Sequence, residues 1–256
     1  MSGYHCFASF YDILTENISY RERAEYFDAL VKKHGGRKNI LLDLACGTGS
    51  LSEAFSAMGY DVIGVDSSEE MLNAALGKKF ESGHNIQYLC QDMTKLDMFG
   101  TIDVTVCALD GINHLPSLAD IEKAFERVSL FCEPEGLFLF DINTPHKHKY
   151  ILGNNTFVYD FDDVYCVWQN SYSEKDNRVE MSLDFFERGE NGSYTRYEDG
   201  FSEIAFDEDI IDGLLEKCGF EIVGKYDYDS FDPPRADSEK LVYAAKKRSP
   251  QTSVKE

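Results

Sequence analysis

Along the chain the apolar positions change period several times, and those changes mark out the elements. Ile40, Leu41, Leu42 and Leu44 form an almost unbroken apolar run without the alternation of a half-wet strand, so they predict a strand buried on both faces. Ala45, Gly47 and Gly49 then supply a bend. Leu51, Ala54, Phe55 and Met58 restart at helical spacing and stop at Gly59. The same order recurs. Tyr60, Val62, Ile63 and Val65 predict a second strand, and Ser67-Ser68-Glu69-Glu70 after it reads as a Ser67-x-x-Glu70 capping box at a helix start. Ile86 to Cys90 predict a third strand, Ile102 to Ala108 a fourth and Leu137 to Phe140 a fifth, with Pro134-Glu135-Gly136 turning the chain into the last. Between the fourth and fifth, Ser117-Leu118-Ala119-Asp120 caps a helix whose apolar positions are Leu118, Ile121, Ala124, Phe125 and Val128. Strand alternating with helix five times predicts an α/β fold, a doubly wound and mostly parallel sheet.

Upstream, Tyr4, Phe7, Phe10 and Tyr11 make the first fourteen residues rich in aromatic rings, and Tyr20, Ala24, Phe27, Leu30 and Val31 form one helical face stopped at Gly35-Gly36. Downstream the period switches. From about Thr156 to Phe206 apolar residues alternate with polar ones, as in Val179, Met181, Leu183 and Phe185, with turn signals at Asp176-Asn177 and Glu190-Asn191-Gly192. This predicts an antiparallel sheet inserted after the fifth strand. Ile210, Ile211, Leu214 and Leu215 then make an amphipathic helix, and Phe220 to Tyr226 and Leu241 to Ala245 form a closing strand pair. The expected division is a core of residues 1–145 and 207–246, an inserted sheet of 146–206, and a loose polar tail of 247–256.

A bend between a buried strand and a helix start is a place to bind the polar end of a nucleotide, because the first amides of a helix point outward without partners. The dinucleotide fingerprint G-x-G-x-x-G does not fit, since the order here is Ala45-x-Gly47-x-Gly49 and position 52 is Ser. Two more acids stand where a nucleoside needs them. Asp66 ends the second strand about 20 residues after Asp43, a spacing at which a carboxylate can accept both ribose hydroxyls. Asp92 follows the third strand in Gln91-Asp92-Met93. The turn Asp43-Leu44-Ala45-Cys46-Gly47-Thr48-Gly49 resembles the D-x-(A/G)-x-G-x-G signature of class I S-adenosylmethionine-dependent methyltransferases. That resemblance covers residues 40–145 well and the ends more loosely. It implies a seven-stranded Rossmann-like sheet and S-adenosyl-L-methionine as cofactor, with S-adenosyl-L-homocysteine as product. It also implies a cofactor set of Tyr11, Asp43, Ala45, Gly47, Gly49, Asp66, Asp92, Met93 and Leu109, in which Asp92 accepts from the adenine amino group and the Met93 amide meets a ring nitrogen. In many members an N-terminal tyrosine covers the cofactor, which would be the role of Tyr11 and extends to Tyr20.

The sulfonium of that cofactor already makes the methyl electrophilic, so the protein need only align a nucleophile and exclude water, and no diagnostic catalytic dyad is required. His114, just past the fourth strand, is the candidate base for an amine or hydroxyl acceptor; alternatively Asn113 and His114 merely satisfy loop backbone groups. Asp110, Asn113, Asp141, Asn143 and Trp168 are the candidate acceptor contacts by position, a mixture of acids and rings that would suit an amine-bearing small molecule. The inserted sheet is then an acceptor lid or a homodimer surface. An Asn-Pro-Pro-Tyr or Asp-Pro-Pro-Tyr run, as in exocyclic base N-methyltransferases, does not follow the fourth strand, and Asp232-Pro233-Pro234 is followed by Arg235 in the final hairpin. Rival readings are transfer of a group other than methyl, cofactor binding without catalysis, and an NAD-dependent oxidoreductase.

Charge narrows the partners. Against 25 basic residues stand 46 acids, a net of −21 in 256 residues, which argues against wrapping a phosphate backbone. The seven cysteines are scattered and form no C-x-x-C, so no disulfide framework or metal site is suggested, and Cys46, Cys90 and Cys107 read as small buried hydrophobes. No leader pattern or bilayer-length apolar run occurs, so the chain is expected in the cytoplasm and off the membrane.

Overall fold

The alternating pattern resolves into two sheets in a computed structural model that describes residues 7–249. Tyr4 and residues 250–256 of the expected tail lie outside the described residues. Strands β1 (Ile40–Leu44), β2 (Asp61–Asp66), β3 (Gln87–Cys90), β4 (Ile102–Cys107), β5 (Cys132–Asn143), β10 (Phe220–Asp227) and β11 (Lys240–Lys247) form a seven-stranded sheet in the order β10-β11-β5-β4-β1-β2-β3. The pairings among β1 to β5 are parallel, while β11 runs antiparallel to both β5 and β10. The chain order reverses between β1 and β4, and in such sheets the crevice beyond the carboxyl ends at that point receives ligands.

Helices on both faces explain the missing alternation in the strands. Leu41, Val104 and Val106 face α2 (Tyr20–Lys33) and α3 (Ser50–Ala57), sharing one buried cluster with Phe27, Leu30 and Phe55. Leu42, Leu44, Phe138 and Phe140 face the other way, against Phe125 and Val128 of α5 (Leu118–Phe131) and Leu215 of α6 (Glu208–Lys217). Every residue of β4 is buried. With both faces covered, a one-residue register slip would exchange one apolar set for another, so the polar strand tips and the turns must pin the register.

The inserted sheet is built differently. Its strands β6 (Thr156–Asp160), β7 (Val164–Ser173), β8 (Arg178–Arg188) and β9 (Tyr194–Ile204) pair in sequence order, all antiparallel. Alternate residues Val179, Met181, Leu183 and Phe185 of β8 are buried, as the period-two pattern requires. What covers them is the aromatic N-terminus, folded as helix α1 (Phe7–Leu14). Phe10 stacks on Phe185 at 4.4 Å between ring centroids, and the Phe7 amide donates to Asp199 Oδ2 at 2.8 Å.

Three local expectations change. The cap of α4 (Glu69–Ser82) is Ser68, whose Oγ accepts from the Met71 amide, so the Ser67-x-x-Glu70 box is displaced by one residue; the Asp66 carboxylate already occupies the Ser68 amide and fixes where the helix starts. Pro134-Glu135-Gly136 lies inside β5 as a bulge, where pairing jumps from Ile102↔Cys132 to Val104↔Leu137, and a bulge tolerates a residue with no amide to donate. Cys90 is exposed because β3 is the edge of the sheet.

Candidate active site

The turn after β1 is held in left-handed backbone at Ala45 (φ 59°), Gly47 (φ 53°) and Gly49 (φ 75°). Gly49 is the N-cap of α3, and a Cβ there would lie 2.8 Å from Ala75 Cβ and closer still to the Tyr88 hydroxyl. Glycine is therefore required for packing of the turn against α4 and β3. At Gly47 nothing stands within 4 Å of a built Cβ, so only its φ and the open space of the cleft bear on that position. Ala45 has a side chain in a conformation that costs roughly 1–2 kcal/mol, a strain that the surrounding bonds must offset.

Three carboxylates line the cleft at this turn. Asp66 at the tip of β2 accepts from the Gly47 amide at 2.8 Å through Oδ2 and from the Ser68 amide at 2.9 Å through Oδ1. One side chain thus fixes both the bend and the start of α4 while leaving a lone pair on each oxygen for a ligand. Burial raises its pKa above the usual carboxylate range, against those two amides. Asp43, buried, accepts from Ser52 Oγ at 2.5 Å, and desolvation pushes its carboxyl up to about 7. Asp92 caps a short 3-10 turn, Met93–Lys95, with Oδ1 accepting from the Thr94 amide at 2.9 Å.

A second strained bend stands opposite, at the end of β4, where Leu109 (φ 57°) and Asp110 (φ 58°) are both left-handed. Asp141, buried at the end of β5, holds it: its two oxygens accept from the Leu109 and Asp110 amides at 3.0 and 2.6 Å. Below the bend, Asn113 and Asn143 lock to each other and to the inserted sheet, with Asn113 Nδ2 donating to the Ile204 carbonyl oxygen at 2.9 Å and Asn143 Nδ2 to Asp110 at 2.6 Å. Lys240 at the start of β11 lies 3.2 Å from Asp110. Burial opposes the charge on Asp110, yet the Lys240 and Lys147 ammonium groups hold it well below the usual range, and Asp110 and Asp141 in return hold Lys240 high against its own desolvation.

Between the two bends lies a cavity of about 550 Å³. Of the sequence-predicted residues, Tyr11, Asp43, Ala45, Gly47, Asp66, Asp92, Met93, Leu109, Asp110, His114 and Trp168 line it. Gly49, Asn113, Asp141 and Asn143 do not. They sit beneath the surface, and the expectation that Asn113, Asp141 and Asn143 touch an acceptor gives way to positioning, because Asn113 and Asp141 bond backbone groups and Asn143 bonds Asp110, Glu203 and Lys147. Helix α1 closes the top, with Asp12 accepting from Thr48 Oγ1 at 2.7 Å and from Lys78 at 2.7 Å, so Tyr11 faces the cavity. Burial, then Tyr20 and the Asp110 and Asp66 carboxylates, raises the Tyr11 phenol well above its ordinary value.

Comparison with known proteins decides the family. Residues 41–136 match the family described as "Methyltransferase domain". Over 247 residues, 95% of this chain and 97% of its relative, the sequence is 32% identical to "Putative methyltransferase YqeM" of Bacillus subtilis (strain 168). A crystal structure of an S-adenosylmethionine-dependent methyltransferase from Clostridium acetobutylicum ATCC 824 superposes with a TM-score of 0.86 at 31% identity, covering 97% of this chain and 100% of that one. The chain belongs to the class I S-adenosylmethionine-dependent methyltransferases. A glycine/sarcosine N-methyltransferase of Halorhodospira halochloris is also similar, 24% identical over 92% of this chain and 85% of that protein.

S-adenosylmethionine is thus the cofactor of this methyltransferase, and the donor set suits it. Carboxylates at the tips of the adjacent strands β1 and β2, a third just past β3, and outward amides at one bend share a single cleft. No helix among the described residues is long and apolar enough to cross a membrane. Among the cavity residues that sequence reasoning missed are Phe201 and Glu203 on β9, Tyr228 in the last loop and Lys240. Their positions in the chain carried no signal, since each reaches the cleft only through sheet pairing or the closing strand.

Proposed function

We propose that this methyltransferase transfers the methyl group to a nitrogen of a small amine-bearing molecule, with a hydroxyl as the second acceptor class. The observation that carries the reading is the composition of the acceptor side, where Trp168, Phe201 and Tyr228 stand around the ionised Asp110 and the buried acid Glu203. Aromatic faces and carboxylates both favour a cationic or amine group. The N-methyltransferase likeness extends across 92% of the chain, which includes the inserted sheet, and supports nitrogen over oxygen.

On this reading each residue has a task. Asp66 accepts the ribose hydroxyls, Asp92 and the Met93 amide hold the adenine, and Ala45, Gly47 and Leu109 line the remainder of the cofactor's bed. Tyr11 covers the cofactor, and α1 with residues 146–206 excludes water from the acceptor side. The bound sulfonium supplies an activated methyl group. The chain aligns the acceptor lone pair with that carbon, where orientation is the main contribution, and His114 receives the acceptor's proton.

The test is incubation of the protein with methyl-labelled S-adenosylmethionine and fractionated cell metabolites. Label appearing in a primary or secondary amine, and absent with Asp66→Ala, supports the reading. Label only in oxygen-linked products overturns the preference for nitrogen, and label only in sulfur-linked products or in macromolecules overturns the reading altogether.

A further inference from the structure

The inserted sheet delivers an acid back into the cleft. Glu203, the penultimate residue of β9, is 4% exposed and lines the cavity. Its two oxygens are placed by separate parts of the chain. Oε2 accepts from Asn143 Nδ2 at 2.7 Å and lies 3.3 Å from Nε2 of His148, a fully buried ring in the π-helical turn Lys147–Leu152. His148 is fixed in turn through Nδ1, 2.8 Å from the Asn177 carbonyl oxygen. With Oε2 anchored, Oε1 faces His114 Nε2 at 3.9 Å. That is ion-pair reach but longer than a hydrogen bond, as is common before a reacting complex forms. The His114 ring also lies 5.2 Å from Phe201, two residues earlier on the same strand, so β9 contacts the imidazole through both a carboxylate and an aromatic ring.

We infer that Glu203 is the positioning residue of His114, orienting the imidazole as proton acceptor and stabilising the imidazolium that forms. This rests on the acceptor reading above, and it narrows it to a group that still carries a proton when attacked, an amine or a hydroxyl, and excludes a thiolate or a carboxylate. In the step, the acceptor lone pair forms the bond to the methyl carbon and the carbon–sulfur pair returns to sulfur as a thioether. The proton left on the acceptor nitrogen or oxygen passes to the neutral His114 imidazole, whose positive charge then faces Glu203. Among the described residues, the charged groups near the ring include Asp66 at the tip of β2 and Asp110 at the β4 bend, with Tyr11 of α1 and Lys240 of β11 on the same cavity and Lys147 behind Asn143. The Asp110 and Lys240 charges offset each other across 3.2 Å, while Glu203 shares a proton with His148, whose Nδ1 donates to the Asn177 carbonyl oxygen, so the Oε1 edge of that pair is what faces His114.

The experiment needs no acceptor. Imidazole nitrogen resonances of His114 are titrated by NMR in the full chain with S-adenosylhomocysteine bound, for the wild type and Glu203→Gln. Loss of the carboxylate is expected to lower the His114 midpoint by about one pH unit, a tenfold loss of basicity, while S-adenosylhomocysteine affinity stays within about twofold because Glu203 makes no hydrogen bond to Asp66, Asp92 or the Gly47 bend. An unmoved midpoint in a folded variant overturns the proposal and leaves Glu203 as a tie between sheet and core. If Glu203→Gln does not fold, Glu203→Asp serves: the retracted carboxylate lowers the midpoint by about half a unit, and no movement again overturns the idea. Labelled methyl found in an unexpected acceptor class would defeat the reading of the previous section without touching this titration.

Discussion

The two halves of the cleft are held by different kinds of contact. On the cofactor side, Asp66 grips backbone amides at the Gly47 bend and the Ser68 helix start, and Asp92 caps its own turn. On the acceptor side, Asp141 grips the amides of its bend in the same way, but a side-chain network is added: Asp110, Asn143, Lys240, Glu203 and His148 come from five separate segments and meet in one buried cluster. The first half can be specified by a short run of residues. The second requires the whole fold, because each member is correct only if the others have arrived. This difference suits an enzyme whose cofactor is fixed by its family and whose acceptor is particular to the chain.

Four tests probe that contrast, beginning with the largest effect. Lys240→Met removes the cation 3.2 Å from Asp110 and 3.9 Å from Asp141, leaving Lys147 as a remaining cation near them, and is expected to cost about 3 kcal/mol of stability. Urea denaturation would show it, while S-adenosylhomocysteine affinity in the remaining folded protein should hold; if affinity collapses too, the two halves are not independent. Gly49→Ala forces a side chain into left-handed backbone against Ala75 and Tyr88, with an expected loss of about 2–3 kcal/mol. Gly47→Ala, with no such neighbours, should lose only about 1 kcal/mol. Equal destabilisation of the two would show that packing behind the bend is not what demands the second glycine.

Asp66→Ala comes third. It should weaken S-adenosylhomocysteine binding roughly tenfold to a hundredfold with the chain still folded; an unchanged Kd by calorimetry would remove Asp66 from the cofactor set. The smallest effect is a pH dependence. Because the folded carboxyl of Asp43 sits near 7, above its ordinary 3.8, the native chain binds that proton more tightly than the unfolded chain between those values. Stability conferred by the proton is present at low pH and is lost as pH rises toward 7. The ligand-free wild type should therefore lose about 1 kcal/mol between roughly pH 6 and pH 7.5 relative to Asp43→Asn. Parallel melting curves for the two proteins across that range would contradict the shift.

Much of the core was legible in the sequence. The run Ile40 to Leu44 gave β1 because a doubly covered strand has no polar face to advertise, and alternation from Val179 to Phe185 gave β8 because one face is covered and the other is not. The three acids near the strand tips share one cleft, as their spacing implied. The acceptor side was less legible. Asp141 and Asn143 follow a strand as cleft residues do, yet they point into the layer beneath, where orphaned amides at Leu109 and Asp110 and the charge of Asp110 claim their polar atoms.

What the sequence determined by itself was local: the periodicity of each strand and helix, the glycine bend, and a carboxylate near each of three strand ends. These depend on residues a few places apart, so their physics is written where they stand. Only the tertiary structure decided which face of the cleft each polar residue serves. Glu203 and Lys240 reach the cleft from β9 and β11, across a sheet register and a closing antiparallel strand. A buried charge is tolerated only where its partners have converged, and no stretch of chain announces a convergence of five distant segments.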